Sequence, residues 1–285
     1  MTILAPLRGV TIRCFRETFA GPIGAAGFAE AFTPFIAAAA GYDPLKDREL
    51  KGGAAKPPRP ALKLTPQFIG KDPAALRAAL ARIKAAGFDT ADLNCGCPFP
   101  MVRNKGRGSG LLRTPEVLRR MLEAGCETMG AGKFSVKARL GVERTDELLR
   151  LMPMINDYPL RFLTVHARTA RQMYAGECDW AAFDAVARAA KVPLVANGDL
   201  ETDADGRGTA GVMVGRAFIR ALGEREDIGE LLDAYVAASA AELDGDRPVL
   251  GRIKELLGYW KDSPRWRRRW QVAKMARSLA EIRVW

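Results

Sequence analysis

The residues with the most chemistry to offer fall in one short stretch, Asp92-Leu93-Asn94-Cys95-Gly96-Cys97-Pro98, followed by Lys105-Gly106-Arg107-Gly108-Ser109-Gly110-Leu111-Leu112. Cys97 follows an apolar run, sits on a Gly/Pro loop and lies near basic residues. It is expected to be exposed and able to lose or donate a proton, which makes it a candidate general acid. The opposing reading of this motif, two small thiols buried in a tight turn, stays open. A zinc site fits poorly, because C-x-C has no second pair and the Cys at 14, 126 and 178 are isolated. The chain's single His, at position 166, excludes metal sites that need two or more imidazoles. A Ser-His-Asp apparatus would have to use that same residue.

Short runs rich in Val, Ile, Leu and Phe alternate with longer Ala/Leu/Arg stretches of helical spacing, the pattern of repeated βα units. Eight strands are expected, at 2–5, 27–31, 61–67, 90–94, 134–139, 162–167, 193–197 and 211–214. Helices are expected at 74–86, 115–129, 145–154 and 180–190, with Asp72 and Thr114 as N-caps, each followed by Pro at the first helical position. The fold class is therefore α/β, a (β/α)8 TIM barrel over residues 1–223, with a C-terminal all-helical domain over 224–285. In that fold, function gathers at the C-terminal strand ends. The unusual residues fall at those ends: Pro6, Gln67, Asn94 and Cys97, Lys137 and Arg139, His166 and Arg168, Asn197 to Asp199, and Gly215-Arg216. Polar side chains inside apolar strands are costly without a purpose, so they point to one site at one mouth.

The chain has 285 residues, 48% of them hydrophobic, and a net charge of +11. That composition suits a large core and argues against disorder. With no apolar run of about 18 residues and no secretory leader, a cytoplasmic protein is expected, with no membrane contact. The odd Cys count fits reduced thiols. From Arg247 to Trp285, eleven Lys and Arg stand against three acids, so +8 of the net +11 lies in the tail. There, RWRRRW at 265–270 interleaves Arg with Trp, a segment able to pair with phosphates and stack on bases. Its bland alternative is a solvated basic helix whose Trp side chains pack inward. Residues 228–241, 248–260 and 266–282 are expected as the tail's helices, and 44–60 as an exposed loop.

Taken together, these residues resemble the tRNA-dihydrouridine synthases, flavin enzymes that reduce uridine in tRNA. The resemblance runs from the N-terminus to about residue 220, through Ala5-Pro6-Leu7-Arg8-Gly9-Val10-Thr11, Gln67-Phe68-Ile69-Gly70, the Asp92–Pro98 stretch, Val136-Lys137-Ala138-Arg139-Leu140-Gly141, Val165-His166-Ala167-Arg168-Thr169, Val195-Ala196-Asn197-Gly198-Asp199 and Gly211-Val212-Met213-Val214-Gly215-Arg216. It implies bound FMN reduced by NADPH. Pro6, Leu7 and Arg8 would contact the flavin, Gln67 and Lys137 its ring, and His166 the flavin or substrate. Asn197, Gly198, Asp199, Gly215 and Arg216 would hold the ribityl phosphate. Cys97 would protonate uridine C5 as hydride reaches C6. Asn94, Lys105, Arg139 and Arg168 would contact the substrate, with Ser109 and Lys105 on a loop over it. Arg265, Arg267, Arg268 and Arg269 would bind tRNA. The tail is loosely similar to the helical tRNA-binding domain of one bacterial branch of the family, which implies a D-loop uridine as target. A monomer without metal is expected.

The sequence departs from the family at Leu7 and Arg8, where Met and an acid are usual, and at 201–209, which is short and Gly/Asp-rich where a seventh helix belongs. Two competing readings remain: a non-catalytic or altered paralogue that binds tRNA, and a flavin oxidoreductase acting on a small molecule.

Overall fold

The computed structural model describes residues 1–51, 62–201 and 208–282. Ten hydrogen-bonded segments in one all-parallel sheet resolve into eight strands, because two strands are interrupted. β1 is Thr2–Leu4, and β2 runs as Glu30–Phe32 and resumes at Ile36–Ala37. β3 runs as Lys63–Thr65 and Gln67–Ile69. Pro66 has no N–H to donate and splits β3, while its carbonyl still accepts from Asp92 N at 3.0 Å. β4 to β8 are Ala91–Cys95, Phe134–Gly141, Leu163–Thr169, Leu194–Asn197 and Gly211–Val214. β1 pairs with β8 on one side and β2 on the other, and both halves of β2 pair with β3, so the sheet closes into the expected barrel.

Closure separates three apolar cores. Ile3, Ala5, Phe32, Phe162, Val195 and Met213 fill the barrel interior. A second core lies between β3 to β7 and the helices outside them, and a third lies under β1, β8 and the tail. Side chains alternate along each strand, so residues two apart share the interior. Asp92 and Asn94 do so, as do Lys137 and Arg139, and His166 and Arg168.

Eleven helices surround the sheet among the described residues. After β1 come α1 (Arg13–Thr18) and α2 (Ala20–Ala25). α3 (Pro73–Ala85) starts at Asp72, whose Oδ1 accepts from Ala74 N and Ala75 N at 2.9 and 3.4 Å, as expected of an N-cap. α4 (Pro100–Arg103) and α5 (Pro115–Met129) follow β4. Thr114 does not cap α5; its hydroxyl donates back to Leu111 O at 3.4 Å, closing the preceding 3-10 turn instead. α6 (Glu147–Ile155), α7 (Trp180–Ala189) and α8 (Arg216–Leu222) follow β5, β6 and β8. Part of the expected 44–60 loop forms two 3-10 turns, Pro44–Lys46 and Arg48–Leu50. The rest of that loop, the start of the expected third strand at 61, and most of the stretch where the seventh helix was expected to be lost lie outside the described residues.

The tail consists of α9 (Ile228–Glu242), α10 (Asp246–Leu257) and α11 (Pro264–Met275). It docks through two buried indoles. Trp260 Nε1 donates to Ile219 O and Trp266 Nε1 to Gly223 O, both at 2.6 Å. They satisfy carbonyls at the C-terminal end of α8, which have no partner within the helix. A side chain at Gly223 would meet the Trp260 ring at 2.7 Å, so the docking needs glycine there. Stacking of Trp266 on bases is thereby corrected. The ring is 1% exposed and committed to packing, while Arg265, Arg267 and Arg268 remain exposed and Arg269 is half-buried.

Candidate functional site

One cavity opens at the C-terminal mouth of the barrel, with about 860 Å³ of empty space, its open mouth included. It brings together Pro6, Leu7, Arg8, Asn94, Cys97, Lys137, Arg139, His166, Asn197, Gly198, Asp199, Gly215 and Arg216. These come from the ends of six strands that are far apart in sequence. Gln67, Lys105 and Arg168 do not line it. Gln67 is fully buried below the floor, Lys105 is exposed on the turn after α4, and Arg168 is buried behind His166.

Cys97 is only 6% exposed, not the open thiol expected of a Gly/Pro loop. The segment after α4 folds back over it: Ser109 N and Ser109 Oγ donate to Cys97 O at 3.2 and 2.8 Å. Gly108 adopts φ +57 there, and a Cβ at that position would lie 2.8 Å from the Cys97 Cβ. From the other side, Asn94 Oδ1 accepts from Cys97 N at 2.8 Å and from Gly96 N at 3.1 Å. Burial pushes the thiol pKa up, against the Phe99 N–H and the charges of Arg8 and Arg139, which pull it down. The result is a protonated thiol at neutral pH, suited to giving a proton.

Lys137 supplies the opposite character. Its Nζ donates to Asn197 Oδ1 at 2.8 Å, and burial together with the Arg139 charge lowers its pKa to about 7. Burial and the cations Arg139, Lys137, Arg168 and Arg216 hold His166 well below its ordinary value, so its ring is neutral. Arg168 can only donate, so its Nη1 at 3.3 Å makes His166 Nε2 the acceptor and leaves the proton on Nδ1. Arg139 donates to the carbonyls of Gly96 (3.0 Å), Thr169 (2.8 Å) and Met173 (2.6 Å), bracing the loops after β4 and β6.

The phosphate side of the expected site has an unusual backbone. Gly198 and Asp199 take successive positive φ of 125 and 50. A Cβ on Gly198 would sit 2.7 Å from Cys178 Sγ and 2.9 Å from His166 Cδ2, and one on Gly215 would sit 3.1 Å from the Ala5 Cβ. Asp199 is held between Arg168 and Arg216. Burial opposes its ionisation, but the Arg168 hydrogen bond and both guanidinium charges outweigh that and lower its pKa. Among the described residues, Asp199 is the one acid on a wall that carries Arg8, Lys137, Arg139 and Arg216. A flavin phosphate and an electron-rich ring fit this cationic cradle, with glycines where a side chain would intrude.

Three aromatic side chains also stand on the wall; Tyr174, with Asp179-Trp180, is a further landmark of the family resemblance but has no expected site role, and Phe35 and Phe99 are not singled out by the sequence. Tyr174 lies under two guanidinium groups, Arg216 at 4.9 Å and Arg139 at 5.3 Å from its ring centroid. Phe35 lies in the break of β2 with Arg8 over it at 5.7 Å, which gives that charge-reversed residue a defined contact. Phe99 follows the Cys97-Pro98 pair directly. No local spacing marks Phe35, because it reaches the mouth from an irregular segment.

The family model described as Dihydrouridine synthase (Dus) matches residues 3–221. The tRNA-dihydrouridine synthase B of Serratia marcescens is 28% identical over 207 residues, covering 68% of this chain and 60% of that protein. A probable tRNA-dihydrouridine synthase of Rhodobacter capsulatus is 31% identical over 224 residues, covering 75% and 66%. The tRNA-dihydrouridine(16) synthase of Salmonella typhimurium is 30% identical over 219 residues, covering 68% of each. The chain thus matches 60% to 68% of the length of these relatives. Among solved structures, a morphinone reductase variant in complex with tetrahydroNAD gives a TM-score of 0.54 at 12% identity, covering 77% of this chain and 83% of that one. The old yellow enzyme homologue from Zymomonas mobilis gives 0.53 at 14%, covering 77% and 85%. At that identity the likeness is one of fold.

Proposed function

Because the chain belongs to the dihydrouridine synthase family, we propose that it reduces uridine in tRNA to 5,6-dihydrouridine, with FMN as its flavin and NADPH as reductant. The observation that carries this reading is a clamped, protonated Cys97 on the same cavity wall as the Lys137 amine. Bound flavin, once reduced, supplies hydride to C6 of the uracil.

The chain's own residues do the rest. Lys137 would offer its remaining N–H groups to the flavin ring, where they would stabilise negative charge, and Asn197 fixes their direction. Gly198, Gly215 and Arg216 leave room and positive charge for the phosphate. Cys97 gives its proton to C5 from the face opposite the flavin. The target base must leave its stack to reach the cavity, which costs a few kcal/mol. Arg139, Tyr174 and Arg216 stand at the opening that would receive it. The helices from α9 onward form the tRNA-binding part, and Arg265, Arg267, Arg268 and Arg269 meet phosphates there. The target is a D-loop uridine, and the enzyme works as a cytoplasmic monomer.

The test is spectroscopic. Purified protein should be yellow, bleach with NADPH and regain its flavin spectrum on addition of unmodified tRNA. Colourless protein that still binds tRNA would point to a non-catalytic relative, and recovery driven only by a small uracil compound would point to a small-molecule reductase.

A further inference from the structure

Below the cavity floor runs a line of buried side chains that the proposed reaction does not use. Asp92, fully buried in β4, accepts from Ser135 Oγ at 2.6 Å through Oδ1 and from Gln67 Nε2 at 2.8 Å through Oδ2. Gln67 Oε1 accepts from Asn94 Nδ2 at 2.8 Å. Asn94 Oδ1 in turn accepts from the backbone N–H of Cys97 at 2.8 Å and of Gly96 at 3.1 Å. Strand register builds the line, since Gln67, Asp92 and Ser135 are direct partners across β3, β4 and β5.

Its direction is forced from one end. A carboxylate oxygen facing Gln67 only accepts, so Gln67 must present its NH₂ to Asp92 and its oxygen to Asn94. Asn94 must then present its NH₂ to Gln67 and its oxygen to the Cys97 turn. Reversing either amide would set donor against donor at one end and acceptor against acceptor at the other, in an interior where an unmade hydrogen bond costs about 1–3 kcal/mol. The polarity also survives protonation. A proton on Asp92 Oδ1 turns Ser135 from donor to acceptor, while Oδ2 still receives Gln67. That matters because burial raises the Asp92 pKa to about 7.

We propose that Asp92 and Gln67 are positioning residues that act through Asn94 to fix the Cys97 turn, so that its thiol is held on the cavity wall at the place where the proton must be delivered. The proposal rests on the reading of Cys97 as proton donor.

The experiment compares Asp92→Leu, which breaks the line at its far end, with Asp92→Asn, whose oxygen can still accept from Gln67 while its NH₂ donates to Ser135. Flavin-loaded proteins are examined by stopped flow in two halves, reduction by NADPH and reoxidation by unmodified tRNA. In parallel, alkylation of Cys97 by iodoacetamide is followed across pH by peptide mass spectrometry. Asp92→Leu should slow reoxidation about 10- to 100-fold, leave NADPH reduction within about twofold, and change the Cys97 alkylation profile. Asp92→Asn should stay close to the parent in all three. Where Asp92→Leu does not fold, Gln67→Met cuts the same line nearer Asn94, and the Cys97 alkylation profile is its readout. The proposal is overturned if the severing variant matches the parent in reoxidation and alkylation, or if Asp92→Asn is as impaired as the severing variant. If the parent itself fails to reduce tRNA, the proposed function fails, and the alkylation profiles still decide the positioning.

Discussion

Lys137 Nζ donates to Asn197 Oδ1 at 2.8 Å, and Asn197 Nδ2 donates to Met213 O at 2.7 Å, so an amine on β5 is aimed by an amide on β7 that is itself anchored to β8. A side chain of this length would otherwise sample many rotamers, and the two bonds remove that freedom before any ligand arrives. The amine is therefore part of a prepared surface.

Replacing Lys137 by Met should weaken flavin binding about 10- to 100-fold, the worth of one hydrogen bond to a charged group. Flavin fluorescence quenching measures it. Because the Lys137 pKa lies at about 7, a large share of the flavin-free protein carries a neutral amine at pH 8. Binding an anionic ligand should then draw a proton onto it. Calorimetry in buffers of different ionisation enthalpy should show proton uptake at pH 8 in the parent and none in Lys137→Met.

The buried carboxyl has a distinct stability signature. With its pKa raised to about 7 in the folded state, Asp92 keeps its proton where the unfolded chain has lost it. Its contribution to stability is therefore full below the unfolded value and is lost as pH rises toward 7. Asp92→Asn removes that loss. The melting temperature of the variant relative to the parent should climb between pH 4 and pH 7, by an amount on the order of 1–3 kcal/mol in stability. A constant offset would show that the carboxyl titrates normally.

Gly198→Ala tests the cradle. Its φ of +125 is unfavourable to any L side chain, and the added Cβ would press on Cys178 and His166. The variant should lose flavin affinity at least about fivefold, since backbone strain of this kind costs about 1–3 kcal/mol. Titration with FMN reads the loss.

The tail separates charge from packing. Neutralising Arg265, Arg267, Arg268 and Arg269 should weaken tRNA binding and flatten its salt dependence, by up to about 0.7–0.9 logarithmic units for each phosphate that is no longer neutralised. Trp266→Ala should act on stability instead, costing about 3–5 kcal/mol by emptying the space between α11 and α8.

Much of this was legible from residue order. Polar side chains at the ends of apolar strands marked the mouth because only the barrel brings those ends together, and thirteen of the expected residues, from Pro6 to Arg216, line one cavity. What was carried only as an opposing reading, the buried thiols and the inward-packed Trp side chains, or escaped altogether, depends on contacts between distant segments. The burial of Cys97 comes from Ser109 and Gly108 folding back over it, which the Gly/Pro loop alone does not announce. The use of Trp260 and Trp266 as caps for α8 requires a tail docked on the barrel. Gln67 reads as a strand-end residue like the others, and its place below the floor follows from the break at Pro66 and the buried carboxyl beside it.

The central claim is that Cys97 is the proton donor in uridine reduction. Cys97→Ala should keep flavin and tRNA binding and be reduced by NADPH at the parental rate, yet fail to reoxidise when unmodified tRNA is added, with no dihydrouridine found by nucleoside mass spectrometry. Reoxidation at the parental rate with normal dihydrouridine yield would contradict it.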